Sequence, residues 1–158
     1  MNPGAPLLGA GAVQAIKALL ELAQEPAAWR SVRDLAAAQQ LPPARLEQLL
    51  LRLRRAGLLQ AQRGRLGGYR LALAPAAIPL QQVLQALAGH DGEPQQRHQN
   101  TPPSPAQPSA TSQVTQALER RLQQAIEREL SRLTLEELLY DLQSARAAGS
   151  SEGGLVLG

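Results

Sequence analysis

The chain has 158 residues, a net charge of +3, one tryptophan, two tyrosines and neither phenylalanine nor cysteine. That length serves one ordinary domain with an appendage, not two full cores. The missing thiols exclude disulfides, cysteine nucleophiles and all-cysteine zinc or iron–sulfur sites, and they fit a reducing compartment.

With so few aromatics, the core must come from leucine and alanine, which favour helices over strands. No stretch approaches eighteen consecutive apolar residues, so no membrane span is expected. The start, MNPGAPLLGAGAVQAIK, lacks the cationic opening of a secretory signal, which makes the cytoplasm the expected location. Charge is unevenly spread. Residues 30–70 hold nine arginines (Arg30, Arg33, Arg45, Arg52, Arg54, Arg55, Arg63, Arg65 and Arg70) against Asp34 and Glu47. Such clustering points to a surface that faces a polyanion.

In chain order, Val13, Ile16, Leu19, Leu20 and Ala23 predict a first amphipathic helix over residues 12–24, stopped by Pro26. Ser31 opens a short second helix, with Asp34 in its first turn and Val32, Leu35 and Ala36 on its apolar side. Leu41-Pro42-Pro43 breaks that helix, and Pro43 suits the first position of a third. At about 100° per residue, Leu46, Leu49, Leu50 and Leu53 share one stripe of this third helix. Ala44, Glu47, Gln48 and Arg55 lie opposite, with Leu51 an apolar exception beside Glu47. Gly57 suits the left-handed residue that ends it. Two short helices joined by a tight turn, the second basic, form a helix-turn-helix pattern.

The period then changes. Leu58–Gln62 and Tyr69–Leu73 predict two short strands around "RGRLGGYRL", with Gly67 and Gly68 supplying positive dihedrals and Arg63 and Arg65 projecting from the tip. The glycines at 64, 67 and 68 match neither a Walker loop nor a dinucleotide fingerprint, and a strand rather than a helix follows them. A helix-turn-helix followed by a basic hairpin is a winged helix. Pro75 ends the wing, and Ile78, Leu80, Val83, Leu84 and Leu87 predict a fourth helix closed by Gly89.

Residues 90–112 are rich in proline and glutamine and lack apolar periodicity, which predicts a disordered linker. Beyond it, Val114, Leu118, Leu122, Ile126, Leu130 and Leu133 step by three or four. Thr134 and Glu137 form a capping box for a further helix carrying Leu135, Leu138, Leu139 and Leu142. The tail, 149–158, is rich in glycine and serine and expected to be flexible. The stripe Leu118, Leu122, Ile126, Leu130 and Leu133 has too few partners within so small a chain, so it is expected to pack across a two-fold axis.

Two segments carry a resemblance. "LEQLLLRLRRAGLL" and "RGRLGGYRLA", with the later "LTLEELL", resemble the Rrf2 family of bacterial winged helix-turn-helix transcription regulators. The resemblance implies a mainly α fold with a two-stranded β wing and a long C-terminal dimerisation helix. Its parts are a DNA-binding domain over 12–89, the linker 90–112 and a dimerisation region over 113–148. It also implies a homodimer on a palindromic operator in double-stranded DNA, with the family's recognition-helix glutamate at Glu47 and its wing arginine at Arg63.

The chemistry of these residues agrees. Glu47 can accept from a cytosine amino group, Gln48 can pair with adenine, and Arg63 suits a narrow minor groove. Ala44 shares that exposed face, and Arg45, Arg52, Arg65 and Arg70 are expected to contact phosphates, with Gly64, Gly67 and Gly68 shaping the wing turn.

Sensory members of the family hold an iron–sulfur cluster through three cysteines after the fourth helix. Here that segment offers only His90 and His98, so no cofactor or metal is expected. The chain is closer to the cluster-free members, whose regulation can come through a partner protein. With no nucleophile beside a base and no cofactor fingerprint, an enzyme is not expected. The alternative is a protein-interaction module that keeps the fold but has lost operator recognition. Leu51 and a first helix without a basic start favour it, while Glu47 and Arg63 oppose it.

Overall fold

Residues 8–88 and 109–151 are described in a computed structural model of the chain. Helix α1 (Ala10–Gln24) buries Ala15, Ala18, Leu19, Leu22 and Ala23, a stripe of period three and four. Its centre sits slightly around the helix from the expected one, leaving Val13 exposed and fully burying Leu22 in place of Leu20. Helix α2 (Val32–Gln39) begins as its sequence dictates, with the Asp34 amide donating to the Ser31 hydroxyl at 3.1 Å. It ends at Gln40 in a left-handed conformation, where the Leu41 amide returns to the Ala36 carbonyl at 3.0 Å.

Helix α3 (Pro43–Arg55) starts with Pro43 inside its first turn and buries Leu46, Leu49, Leu50 and Leu53. Gly57, at φ 81°, turns the chain out of it. Strands β1 (Leu59–Gln62) and β2 (Gly68–Leu71) pair antiparallel, with Leu59 opposite Leu71 and Gln60 opposite Arg70. Leu59 and Leu71 are buried, which turns the face bearing Gln60 and Arg70 outward.

The glycine roles differ from expectation. Positive φ falls on Gly64 (107°) and Gly68 (143°), not on Gly67. Gly67 is demanded by space instead, because a Cβ there would lie 2.1 Å from the Gln62 carbonyl oxygen. The wing also has a third edge that sequence inspection missed. The Arg30 amide donates to the Tyr69 carbonyl at 2.9 Å, and the Tyr69 amide donates back to the Arg30 carbonyl at 2.8 Å.

After a 3-10 turn at Pro75–Ala77, Ile78 is extended and fully buried, so it precedes helix α4 (Leu80–Ala88) rather than belonging to it. Gly89 and residues 90–108, including His90 and His98, lie outside the described residues. Helix α5 (Ala110–Arg132) starts two residues before the end expected for the linker, with the Ser112 amide donating to the Ser109 hydroxyl at 3.2 Å. Helix α6 (Leu135–Ser151) carries the reaching-back half of the capping box, with the Thr134 amide donating to Glu137 Oε2 at 3.4 Å. It runs through Gly149, past the end expected at residue 148.

The C-terminal helices do not form a region apart from the winged helix. Pro79 pairs with Thr134 in an antiparallel bridge, the Leu80 amide donates to the Leu133 carbonyl at 2.9 Å, and Leu135 is fully buried in the same core as Leu19, Leu46 and Leu50. Helix α5 packs on α4, and α6 on α1. The physical reason is burial: "LTLEELL" has an apolar side of its own, and the gap beside Ile78 takes it.

Candidate nucleic-acid interface

The outward face of α3 is built by subtraction. Once its four leucines are buried, Ala44, Arg45, Glu47, Gln48, Arg54 and Arg55 remain exposed along the same helix. Arg45 is steadied by α1, its Nε donating to Gln14 Oε1 at 2.8 Å. Arg52 is half-buried and engaged within the protein. Leu51 is half-buried rather than displayed on the polar side. An exposed helix face carrying a carboxylate and an amide between basic side chains can meet base edges and phosphates together in a major groove.

At the wing, Arg63, Gly64, Arg65 and Leu66 form an exposed tip, with Leu66 88% exposed. Arg63 and Arg65 therefore carry their charge outward on a narrow hairpin, a form that fits a minor groove. Arg70 is placed differently. It is half-buried, its Nε donates to Gln60 Oε1 at 3.0 Å, and its Cζ lies 4.3 Å from the centre of the Trp29 ring. Sequence inspection missed both Trp29 and Gln60 as its partners. The available signal was a lone tryptophan in a chain almost without aromatics.

On α5, Val114, Leu118, Leu122 and Ile126 are exposed by 68%, 54%, 55% and 38%, an uncovered apolar ridge. Leu130 is half-buried, and Leu133 is 38% exposed beside its backbone link to Leu80. Among the described residues, no three His, Asp or Glu side chains are grouped to hold a metal ion, and no helix is long and apolar enough to cross a membrane.

This arrangement matches known proteins. The model of the Rrf2 family, described as an iron-dependent transcriptional regulator, matches residues 8–141. The chain belongs to the Rrf2 family. It is 41% identical over 134 residues to slr0846 of Synechocystis, named as an HTH-type transcriptional regulator, covering 84% of this chain and 87% of that protein.

Among solved structures, IscR of T. potens superposes with a TM-score of 0.66 at 26% identity, covering 96% of this chain and 93% of its own. CymR of B. subtilis, the global cysteine regulator, gives 0.65 at 27% identity, covering 84% and 95%. This Rrf2 protein is thus a DNA-binding transcriptional regulator with a winged-helix fold, and not an enzyme.

Iron–sulfur clusters are held chiefly by cysteine thiolates, and the sequence contains none.

Proposed function

We propose that the protein is a homodimer that reads a two-fold symmetric operator and does so without an iron–sulfur cluster. The observation that carries the dimer is the uncovered ridge of α5. Val114, Leu118, Leu122, Ile126 and Leu130 are spaced four apart, and four of the five are exposed in the single chain. A ridge of that spacing can interdigitate with the same ridge of a symmetry mate, the helix axes crossing at about −50°. A two-fold pair then presents two α3 helices and two wings to one duplex, which calls for inverted half-sites.

In this reading, Glu47 and Gln48 discriminate bases in the major groove, and Ala44 lies against the base edges beside them. Arg63 enters the minor groove, while Arg45 and Arg65 hold phosphates. The positive surplus of residues 30–70 supplies the long-range attraction. The exposed carboxylate of Glu47 and the outward Arg63 favour DNA over a fold kept for protein contacts alone. A regulatory protein is a compatible partner for a member without a cluster, and the cytoplasm is its compatible location.

Independence from the cluster is tested on the full chain and a duplex recovered from genomic fragments. Its affinity should be unchanged after incubation with ferrous iron and sulfide, with no visible absorption gained. A chromophore that appears and alters affinity contradicts the reading.

A further inference from the structure

We propose that Trp29 is a positioning residue for the wing, setting the angle at which Arg63 and Arg65 meet DNA relative to α3. The proposal rests on the wing's role in DNA contact given above.

The isolated antiparallel bridge between Arg30 and Tyr69 lays residues 29–31 along the free edge of β2. Because side chains alternate along strands, Trp29 falls on the same face as Arg70, whose opposite partner on β1 is Gln60. Gln60, Arg70 and Trp29 therefore form one row across β1, β2 and the bridged segment, on the face turned away from buried Leu59 and Leu71. Both contacts of Arg70 run along that row, to Gln60 Oε1 at 3.0 Å and to the Trp29 ring at 4.3 Å. Two residues before Arg70 on β2, opposite Gln62, stands Gly68, where a Cβ would lie 2.2 Å from the Arg30 carbonyl oxygen. The close approach of the two backbones excludes any side chain there.

A pair of four-residue strands is marginal by itself, and its tip is free to swing. The segment that holds it leads directly through the Ser31 cap into α2, which packs on α3. The wing is thus tied to the start of the helix-turn-helix. Holding the tip at one angle before DNA arrives removes an ordering cost from binding. Trp29 contributes by holding the Arg70 guanidinium over its ring, an attraction that strengthens as solvent is excluded.

The test is a double-mutant cycle on the full chain, with a duplex recovered from genomic fragments as the probe. Trp29→Leu should weaken binding by about tenfold while leaving the melting temperature within a few degrees, and Trp29→Phe should recover most of the loss. In an Arg63→Ala/Arg65→Ala background the same Trp29→Leu change should cost less than about twofold, because the contacts it positions are gone. A full tenfold cost in both backgrounds, or no cost in the parent, overturns the proposal.

If the arginine pair can be removed without weakening binding, the wing reading falls and Trp29 falls with it. If the pair weakens binding and Trp29→Leu adds in full, the wing reading stands and only the positioning role is lost. Should Trp29→Leu not fold, Arg70→Met serves the same cycle, since it takes the guanidinium off the ring and leaves the indole in place.

Discussion

The Leu135 amide donates to the Ile78 carbonyl at 2.9 Å, joining the start of the last helix to the segment that follows the wing, and the Leu135 side chain is fully buried. The chain beyond residue 108 therefore completes the core of the DNA-binding domain as well as carrying the ridge of α5.

Leu135→Ala should cost about 2–5 kcal/mol of stability, the range for emptying a closed leucine site. Denaturant unfolding at fixed protein concentration measures it. A cost under about 0.5 kcal/mol, the size of an ordinary surface change, contradicts the packing.

Gly68→Ala and Gly57→Ala separate two causes. Both glycines have positive φ, but a Cβ on Gly57 meets open space whereas one on Gly68 meets the Arg30 backbone. Gly57→Ala should therefore cost about 1–2 kcal/mol of stability and leave DNA binding intact. Gly68→Ala should break the Arg30–Tyr69 pairing and lower operator affinity more than the Gly57 change does. Equal effects on affinity would show that the third edge does not support the wing.

Leu122→Lys with Ile126→Lys should give monomers at micromolar concentration by sedimentation, because two charges on the exposed ridge cannot be buried across a two-fold axis. Retention of dimers would move the interface elsewhere. The thermal stability of the monomeric core should fall only by the amount that dimerisation contributes.

Much of the fold was legible because local signals agreed with one another. Ser31 with Asp34, Pro43, Gly57 and the Thr134–Glu137 pair each mark a helix end that the structure reproduces. What escaped was set by contacts distant in sequence. Nothing near Tyr69 announces that Arg30 will pair with it, and nothing in "LTLEELL" says that Leu135 fills the space beside Ile78.

The site divides the same way. Exposure of Glu47, Gln48 and Arg63 follows from helical phase and from a glycine turn, both local. Charge alone suggests a phosphate contact for Arg70, whereas its engagement with Trp29 and Gln60 depends on how residues 29–31 and β1 align beside β2.

The most direct test of the central claim is a selection of genomic fragments on the purified full chain, followed by salt titration of the enriched duplex with the parent and Arg63→Ala. An inverted repeat should be enriched, and log affinity should fall with log salt by about 0.9 for each phosphate neutralised. Arg63→Ala should cost about 1–3 kcal/mol and relax preference at the positions under the wing. No enriched sequence, a salt-insensitive interaction, or an Arg63→Ala variant with unaltered affinity and preference would contradict operator reading by α3 and the wing.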